Sequence, residues 1–122
     1  EGMTARGWGR IVNISSLNGL KGQAGQTNYS ATKAAIYGFN KALAQECVKK
    51  GVTVNSISPG YIGTEMVRAI RADVLEKVIA TIPAGRLGEP SEIARTVAFL
   101  TADDAGFITG EDITVNGGLY FH

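Results

Sequence analysis

Between Gly9 and the polar residues after Ile14 the chain reads Arg-Ile-Val-Asn-Ile-Ser-Ser, and the β-branched Ile11, Val12 and Ile14 predict a buried strand over residues 10–16. A loop rich in Gly, Asn and Gln follows from Leu17 to about Thr27, with Asn18-Gly19 as a turn pair. Thr27 or Asn28 can then cap a long helix that runs to about Lys50. Its small and apolar positions, Ala31, Ala34, Ala35, Phe39, Ala42, Leu43, Cys47 and Val48, spread over a broad face, so both sides of the helix are expected to be covered. Lys49 and Lys50 suit the negative end of the helix dipole, and Gly51 suits a left-handed residue just beyond it. Residues 52–58 predict a second strand, stopped by Pro59-Gly60. Val67, Ile70, Val74, Leu75, Val78, Ile79 and Ile82 predict one amphipathic helix over about 64–82, followed by a connector to Gly88. Pro90 opens a further helix to about Thr101, with Ile93, Ala94, Val97, Ala98 and Leu100 facing inward, and residues 113–115 make a last short strand before Asn116-Gly117-Gly118.

Strand, helix, strand, helices, strand is the order of an α/β fold with a parallel sheet and right-handed crossovers. The length, 122 residues, allows a single domain with a modest core, and neither an internal repeat nor a low-complexity tract divides it. Charge adds little: 12 basic against 11 acidic side chains, a formal +1, argue for neither a nucleic-acid nor a membrane partner. No apolar run approaches the ~20 residues that cross a bilayer. The opening Glu1-Gly2-Met3-Thr4 has neither the basic nor the apolar region of a signal peptide, and without an initiating methionine it reads as a fragment or a processed product. A single cysteine, Cys47, excludes an internal disulfide and suits a cytoplasmic setting, where it serves as a small core residue. The only histidine, His122, is not expected to hold a metal or to act in catalysis. Asp103-Asp104 reads as a solvated helix end, and Trp8 and Phe107 as packing residues.

Candidate chemistry begins with Tyr29 and Lys33, four apart near a helix start and so on one helical face. Ser16 precedes Tyr29 by thirteen residues and stands at the end of the first strand, where ligands bind in open α/β sheets. The loop between them can fold back and bring strand end and helix start together. Reduction of a carbonyl leaves negative charge on oxygen, which a phenol can protonate. A phenol ordinarily ionises near pH ~10, above the range where a general acid works best. A lysine ammonium nearby favours the phenolate, and a serine hydroxyl can hold the carbonyl oxygen. As an isolated pair, Tyr29 and Lys33 could equally be an ordinary amphipathic pair, and Ser16 could simply end a strand.

Three motifs in order, Asn13-Ile14-Ser15-Ser16, Tyr29-Ser30-Ala31-Thr32-Lys33 and Pro59-Gly60-Tyr61-Ile62-Gly63-Thr64, with Asn116-Gly117-Gly118 behind them, resemble the short-chain dehydrogenase/reductase family over essentially the whole chain. The resemblance implies residues 1–122 as a partial domain, the C-terminal half of a Rossmann-like doubly wound parallel sheet. It implies Tyr29 as general acid/base, Ser16 as ligand of the carbonyl oxygen and Lys33 as the group that holds the nicotinamide ribose and acts on the tyrosine. Pro59, Gly60, Ile62 and Thr64 match the segment that lies along the nicotinamide and diphosphate. The implied cofactor is NADP, with NAD as the alternative. Gln23, Gln26 and Tyr61 match positions that lie against the acetoacetyl group in the family's acetoacetyl-CoA reductases, although Ala24 departs from the bulkier aromatic expected there. The implied substrate is thus an acyl thioester of CoA or of acyl carrier protein. Each assignment has a plainer counterpart: Thr64 as a helix cap, Tyr61 as a packing residue, Gln23 and Gln26 as solvated loop.

The family's Thr-Gly-x-x-x-Gly-x-Gly loop, which cradles pyrophosphate at a helix start, does not occur in these 122 residues. Nor do the residue that separates NAD from NADP and the asparagine of the family's proton relay. The first strand is therefore expected to keep a bare edge and the long helix a bare face, both of which invite pairing with a second copy. A homo-oligomer is expected, with little reductase activity from this segment alone. The alternative of a different class is a non-catalytic half-domain that serves oligomerisation.

Overall fold

Seven consecutive residues, Val52 to Ser58, are each at most 2% exposed in the computed structural model, which describes residues 1–121. They belong to β2 (Val52–Pro59), the middle strand of a three-stranded parallel sheet. β1 (Gly9–Ile14) pairs with one edge, Gly9 opposite Val52 and Ile14 opposite Ile57. β3 (Asp112–Val115) pairs with the other, Ser56 opposite Asp112 and Pro59 opposite Val115. The α/β class expected from the pattern is the one observed. The helices are α1 (Gly2–Ala5), α2 (Leu17–Lys21), α3 (Thr27–Cys47), α4 (Glu65–Arg68), α5 (Ala72–Ala80) and α6 (Pro90–Thr101). His122, set aside above as a ligand or catalyst, lies outside the described residues.

α3 and α6 lie on opposite faces of the sheet. Asn13 of β1 donates to Asn40 of α3 at 2.7 Å, whereas Arg10, three residues earlier and so on the other face, donates to the Ala102 carbonyl at the end of α6 at 3.3 Å. Both crossovers step the same way across the sheet, so helices on opposite faces give them opposite hands. The expectation of right-handed crossovers throughout fails for one of them. The physical reason is coverage: α3 already shields one face of β2, and the other face needs α6.

β2 carries Thr53, Asn55, Ser56 and Ser58 as buried polar residues, and these need partners. Asn55 donates to the Ile108 carbonyl at 2.8 Å and accepts from the Glu111 amide at 3.1 Å, fixing the approach to β3. The apolar core around the strand is Val52, Val54, Ile57, Leu17, Ala44, Ile82, Leu87, Leu100 and Ala105. Full burial of a branched side chain such as Ile57 or Leu100 contributes about 1.5–3 kcal/mol.

Several boundaries differ from the expected ones. The strand over 10–16 stops at Ile14, because Ser16 turns to cap α2, accepting from the Asn18 amide at 3.2 Å. α2 occupies part of the expected loop, so Asn18-Gly19 is helical and not a turn. Gly19 is needed there for space: a Cβ on it would lie 2.9 Å from the Lys33 backbone carbon. α3 is capped by neither Thr27 nor Asn28; Gln26 holds the N-cap position without a side-chain bond. α3 ends at Cys47 and passes through a 3₁₀ turn to Gly51, left-handed at φ 71° as expected. The single helix expected over 64–82 is broken between α4 and α5, where Arg68 turns back to the Gly63 carbonyl at 2.9 Å. Apolar spacing contains no signal of that polar contact. α1 was not indicated by the pattern.

α3 keeps the bare face expected from the missing motifs, not the two-sided cover expected from its apolar spread. Ala31, Ala34, Ala35, Ala42 and Val48 are exposed, Phe39 is 57% exposed, and only Asn40 and Ala44 are fully buried. No described element packs on that face, and β1 has no strand on its outer edge. Trp8 and Phe107, expected to pack, are exposed as well, Phe107 fully; Trp8 is instead faced by the Arg10 guanidinium at 5.0 Å. Ala94 and Ala98 of α6 are also exposed, not inward. The bare edge and the bare apolar face are the features that favour association. The isolated chain is expected to elute as oligomers in size-exclusion chromatography with light scattering, and Phe39→Lys to shift it toward monomer; a monodisperse monomer before substitution would contradict this.

Candidate active site

β1 and β2 are parallel and in register to their ends, and the Ser15 amide extends the ladder by donating to the Ile57 carbonyl at 2.8 Å. Ser16 and Pro59 therefore leave the sheet side by side at its C-terminal edge, the edge at which open α/β sheets bind ligands. Lys33 reaches back from α3 to this edge. Its Nζ donates to the Ile14 carbonyl at 3.0 Å, and its own backbone carbonyl accepts from Ser15 Oγ at 2.9 Å. The same ammonium lies 5.7 Å from the centre of the Tyr29 ring. Tyr29 is 43% exposed, and its hydroxyl has no hydrogen-bond partner among the described residues. Strand end and helix start are thus joined: Ser16 on one, Tyr29 and Lys33 on the other.

The second candidate segment follows β2. The Gly60 amide donates to the Val115 carbonyl at 2.9 Å, so the Pro59-Gly60 turn is fastened to β3. Ile62 forms an isolated parallel bridge with Gly88; the Gly63 amide donates to the Gly88 carbonyl at 2.8 Å and the Gly88 amide to the Tyr61 carbonyl at 2.9 Å. Thr64 caps α4, its Oγ1 accepting from the Val67 amide at a long 3.4 Å. Tyr61 is 39% exposed and helps line a small cavity of about 70 Å³ with Ile62, Ile82 and Arg86. Of the loop glutamines, Gln26 accepts from Asn18 Nδ2 at 2.8 Å, and Gln23 makes a longer contact of 3.4 Å with Lys21. Both are exposed. Spacing alone overlooks Tyr37, whose hydroxyl bonds the Ser16 carbonyl at 2.9 Å; its position eight residues after Tyr29 and four after Lys33 is the signal that could have found it.

A family model described as enoyl-(acyl carrier protein) reductase, one of the short-chain dehydrogenase/reductase models, matches residues 1–120. The chain belongs to the short-chain dehydrogenase/reductase family. Within that family it is 63% identical over 120 residues to an acetoacetyl-CoA reductase of Cupriavidus necator, covering 98% of this chain and 49% of that protein. An acetoacetyl-CoA reductase of Rhizobium meliloti is 67% identical over 122 residues, 99% of this chain and 51% of the other. A 3-oxoacyl-(acyl-carrier-protein) reductase of Vibrio harveyi is 49% identical over 120 residues, 98% of this chain and 49% of the other. The chain spans about half the length of the curated relatives it matches. Among the described residues no helix is long and apolar enough to cross a membrane, and no cluster of three His, Cys, Asp or Glu is placed to hold a metal ion.

In this short-chain dehydrogenase/reductase chain, charged groups clamp the segment after β2. Arg68 Nε bonds the Gly63 carbonyl while its Nη2 meets Glu89 at 3.0 Å. Arg86 holds Glu92 with two bonds of 2.8 Å, and a Glu92 oxygen also accepts from the Glu89 amide at 2.8 Å, capping α6. The bidentate Arg86 guanidinium, helped by that amide, holds the Glu92 carboxyl down at about 2. A carboxyl lowered in the folded state contributes stability that is complete above its ordinary range near ~4.3 and is lost as pH falls through the folded value. Glu92→Gln is expected to speed hydrogen exchange at the Gly63 and Gly88 amides near neutral pH, with the difference from the parent chain shrinking as pH approaches 2. Equal exchange in the two proteins at neutral pH would show that the clamp does not hold this segment.

Proposed function

We propose that the chain is the catalytic half of an NADPH-dependent reductase of 3-oxoacyl thioesters, with acetoacetyl-CoA as substrate and 3-hydroxybutyryl-CoA as product. The observation that carries this reading is the half-exposed Tyr29 ring with the Lys33 ammonium 5.7 Å from its centre, at the sheet edge where Ser16 emerges. Relatives called acetoacetyl-CoA reductase, at 63% and 67% identity, support this substrate above the acyl-carrier-protein thioester named for the relative at 49%.

The donor set suits a nicotinamide nucleotide. Lys33 has three ammonium donors and uses one on Ile14, which leaves two for ribose hydroxyls. Tyr29 offers a hydroxyl to the same ligand, and Pro59, Gly60, Ile62 and Thr64 form the adjoining wall. The bound nicotinamide would supply the hydride. As the keto carbon gains it, negative charge collects on the oxygen. Tyr29 gives that oxygen its proton, and the product is the 3-hydroxyacyl thioester. Ser16 donates a hydrogen bond to the same oxygen and stabilises the charge before proton transfer. The Lys33 ammonium then faces the phenolate left on Tyr29 and favours it. Gln23, Gln26 and Tyr61 would lie against the acyl group; Gln26 must share or surrender its bond to Asn18 to do so.

The test is a chimera in which this chain replaces the matching half of the Cupriavidus necator acetoacetyl-CoA reductase. The chimera is expected to oxidise NADPH in the presence of acetoacetyl-CoA, while the chain by itself does so negligibly. Tyr29→Phe should lower kcat by about 10²- to 10⁴-fold. A chimera whose turnover survives that substitution would overturn the reading. Stable oligomers with no cofactor binding and no activity in the chimera would favour the non-catalytic half-domain.

A further inference from the structure

We propose that Tyr37 is a positioning residue for the reductase site: its part-buried hydroxyl, donating to the Ser16 carbonyl, holds the Ser16 peptide in place. The proposal rests on Ser16, Tyr29 and Lys33 being the reacting groups. Three oxygens surround the Tyr37 hydroxyl: Ser15 Oγ at 3.0 Å, the Ser16 carbonyl at 2.9 Å and Ser58 Oγ at 2.9 Å. Each belongs to a segment that the site needs. Ser15 Oγ also reaches the Lys33 carbonyl, Ser16 carries the candidate hydroxyl, and Ser58 immediately precedes Pro59-Gly60. One phenol therefore ties together the end of β1, the first turns of α3 and the end of β2.

The protons settle which contact holds Ser16. The Tyr37 hydroxyl has one proton and a backbone carbonyl only accepts, so that proton goes to the Ser16 carbonyl. The Tyr37 oxygen then accepts, from Ser15 Oγ at 3.0 Å or from Ser58 Oγ at 2.9 Å. Ser58 Oγ also lies 2.9 Å from Asp112 Oδ1, to which Ser56 donates at 2.6 Å. A donor on the Tyr37 oxygen strengthens the bond that Tyr37 gives and discourages rotation of the Ser16 peptide. Tyr37 itself makes no contact that would place it on a reacting atom, so its effect passes through Ser16.

The chimera described above provides the measurement. Tyr37→Phe keeps the ring and deletes its hydroxyl; kcat for acetoacetyl-CoA reduction should fall about tenfold with KM nearly unchanged, because the groups proposed against the acyl chain are untouched. Ser58→Ala removes one of the hydroxyls on the Tyr37 oxygen and should lower kcat by less than Tyr37→Phe does. In the double variant the two losses should not multiply, since both act through the Tyr37 hydroxyl. If Tyr37→Phe fails to fold, Ser58→Ala takes its place. Unchanged kcat in the folded variants, losses that multiply, or a rise in KM alone would overturn the proposal. Tyr29→Phe, run beside them, separates the two failures: if it leaves turnover intact the site reading falls, whereas if it abolishes turnover and the Tyr37 and Ser58 variants do not affect kcat, only the positioning role falls.

Discussion

Removing β2 from water on both edges and both faces is the constraint from which the rest of this structure follows. A strand buried in that way would ordinarily be a run of Val and Ile. Here it contains Thr53, Asn55, Ser56 and Ser58, and each buried polar atom without a partner would cost roughly 1–3 kcal/mol. Thr53 Oγ1 has no partner among the described residues; the partners of the other three come from three directions. Asn55 is met by the chain leading into β3, Ser56 and Ser58 by the Asp112 carboxylate, and Ser58 also by Tyr37. These bonds select one register for β3 and one rotational setting for α3. The strand is therefore more than a hydrophobic support, because its polar side chains determine where its neighbours stop.

That specification reaches the candidate site by short routes. Ser15 and Ser16 emerge one strand away from Ser58, and Lys33 closes over the end of β1 through the Ile14 carbonyl. The contrast with the segment beyond Pro59 is physical. That segment is held by backbone bonds to Gly88 and by arginine–carboxylate pairs that stay exposed to solvent. Exposed pairs are individually weak, whereas the bonds around Tyr37 are part-buried.

On the outer side of β1 the constraint ends. The strand edge has no partner and the Phe39 face of α3 is open to solvent. Relatives that match this chain are about twice its length. The uncovered surface lies along β1 and α3.

By itself the sequence determined what depends on neighbours along the chain. A β-branched run marked β1, residues 52–58 read as β2, Pro59-Gly60 ended β2, Gly51 ended the helical turn after α3, and the four-residue spacing put Tyr29 and Lys33 on one face. These signals are local because the steric limits on the backbone and the pitch of a helix act over a few residues. The tertiary structure alone decided the break between α4 and α5, the helical placement of Asn18-Gly19, the opposite hands of the crossovers and the role of Tyr37. In most of these the deciding contact joins residues distant along the chain, such as Gly19 with Lys33 or Tyr37 with Ser16. A hydrogen bond or a collision between such residues has no fixed spacing in sequence, and only folding brings its two halves together.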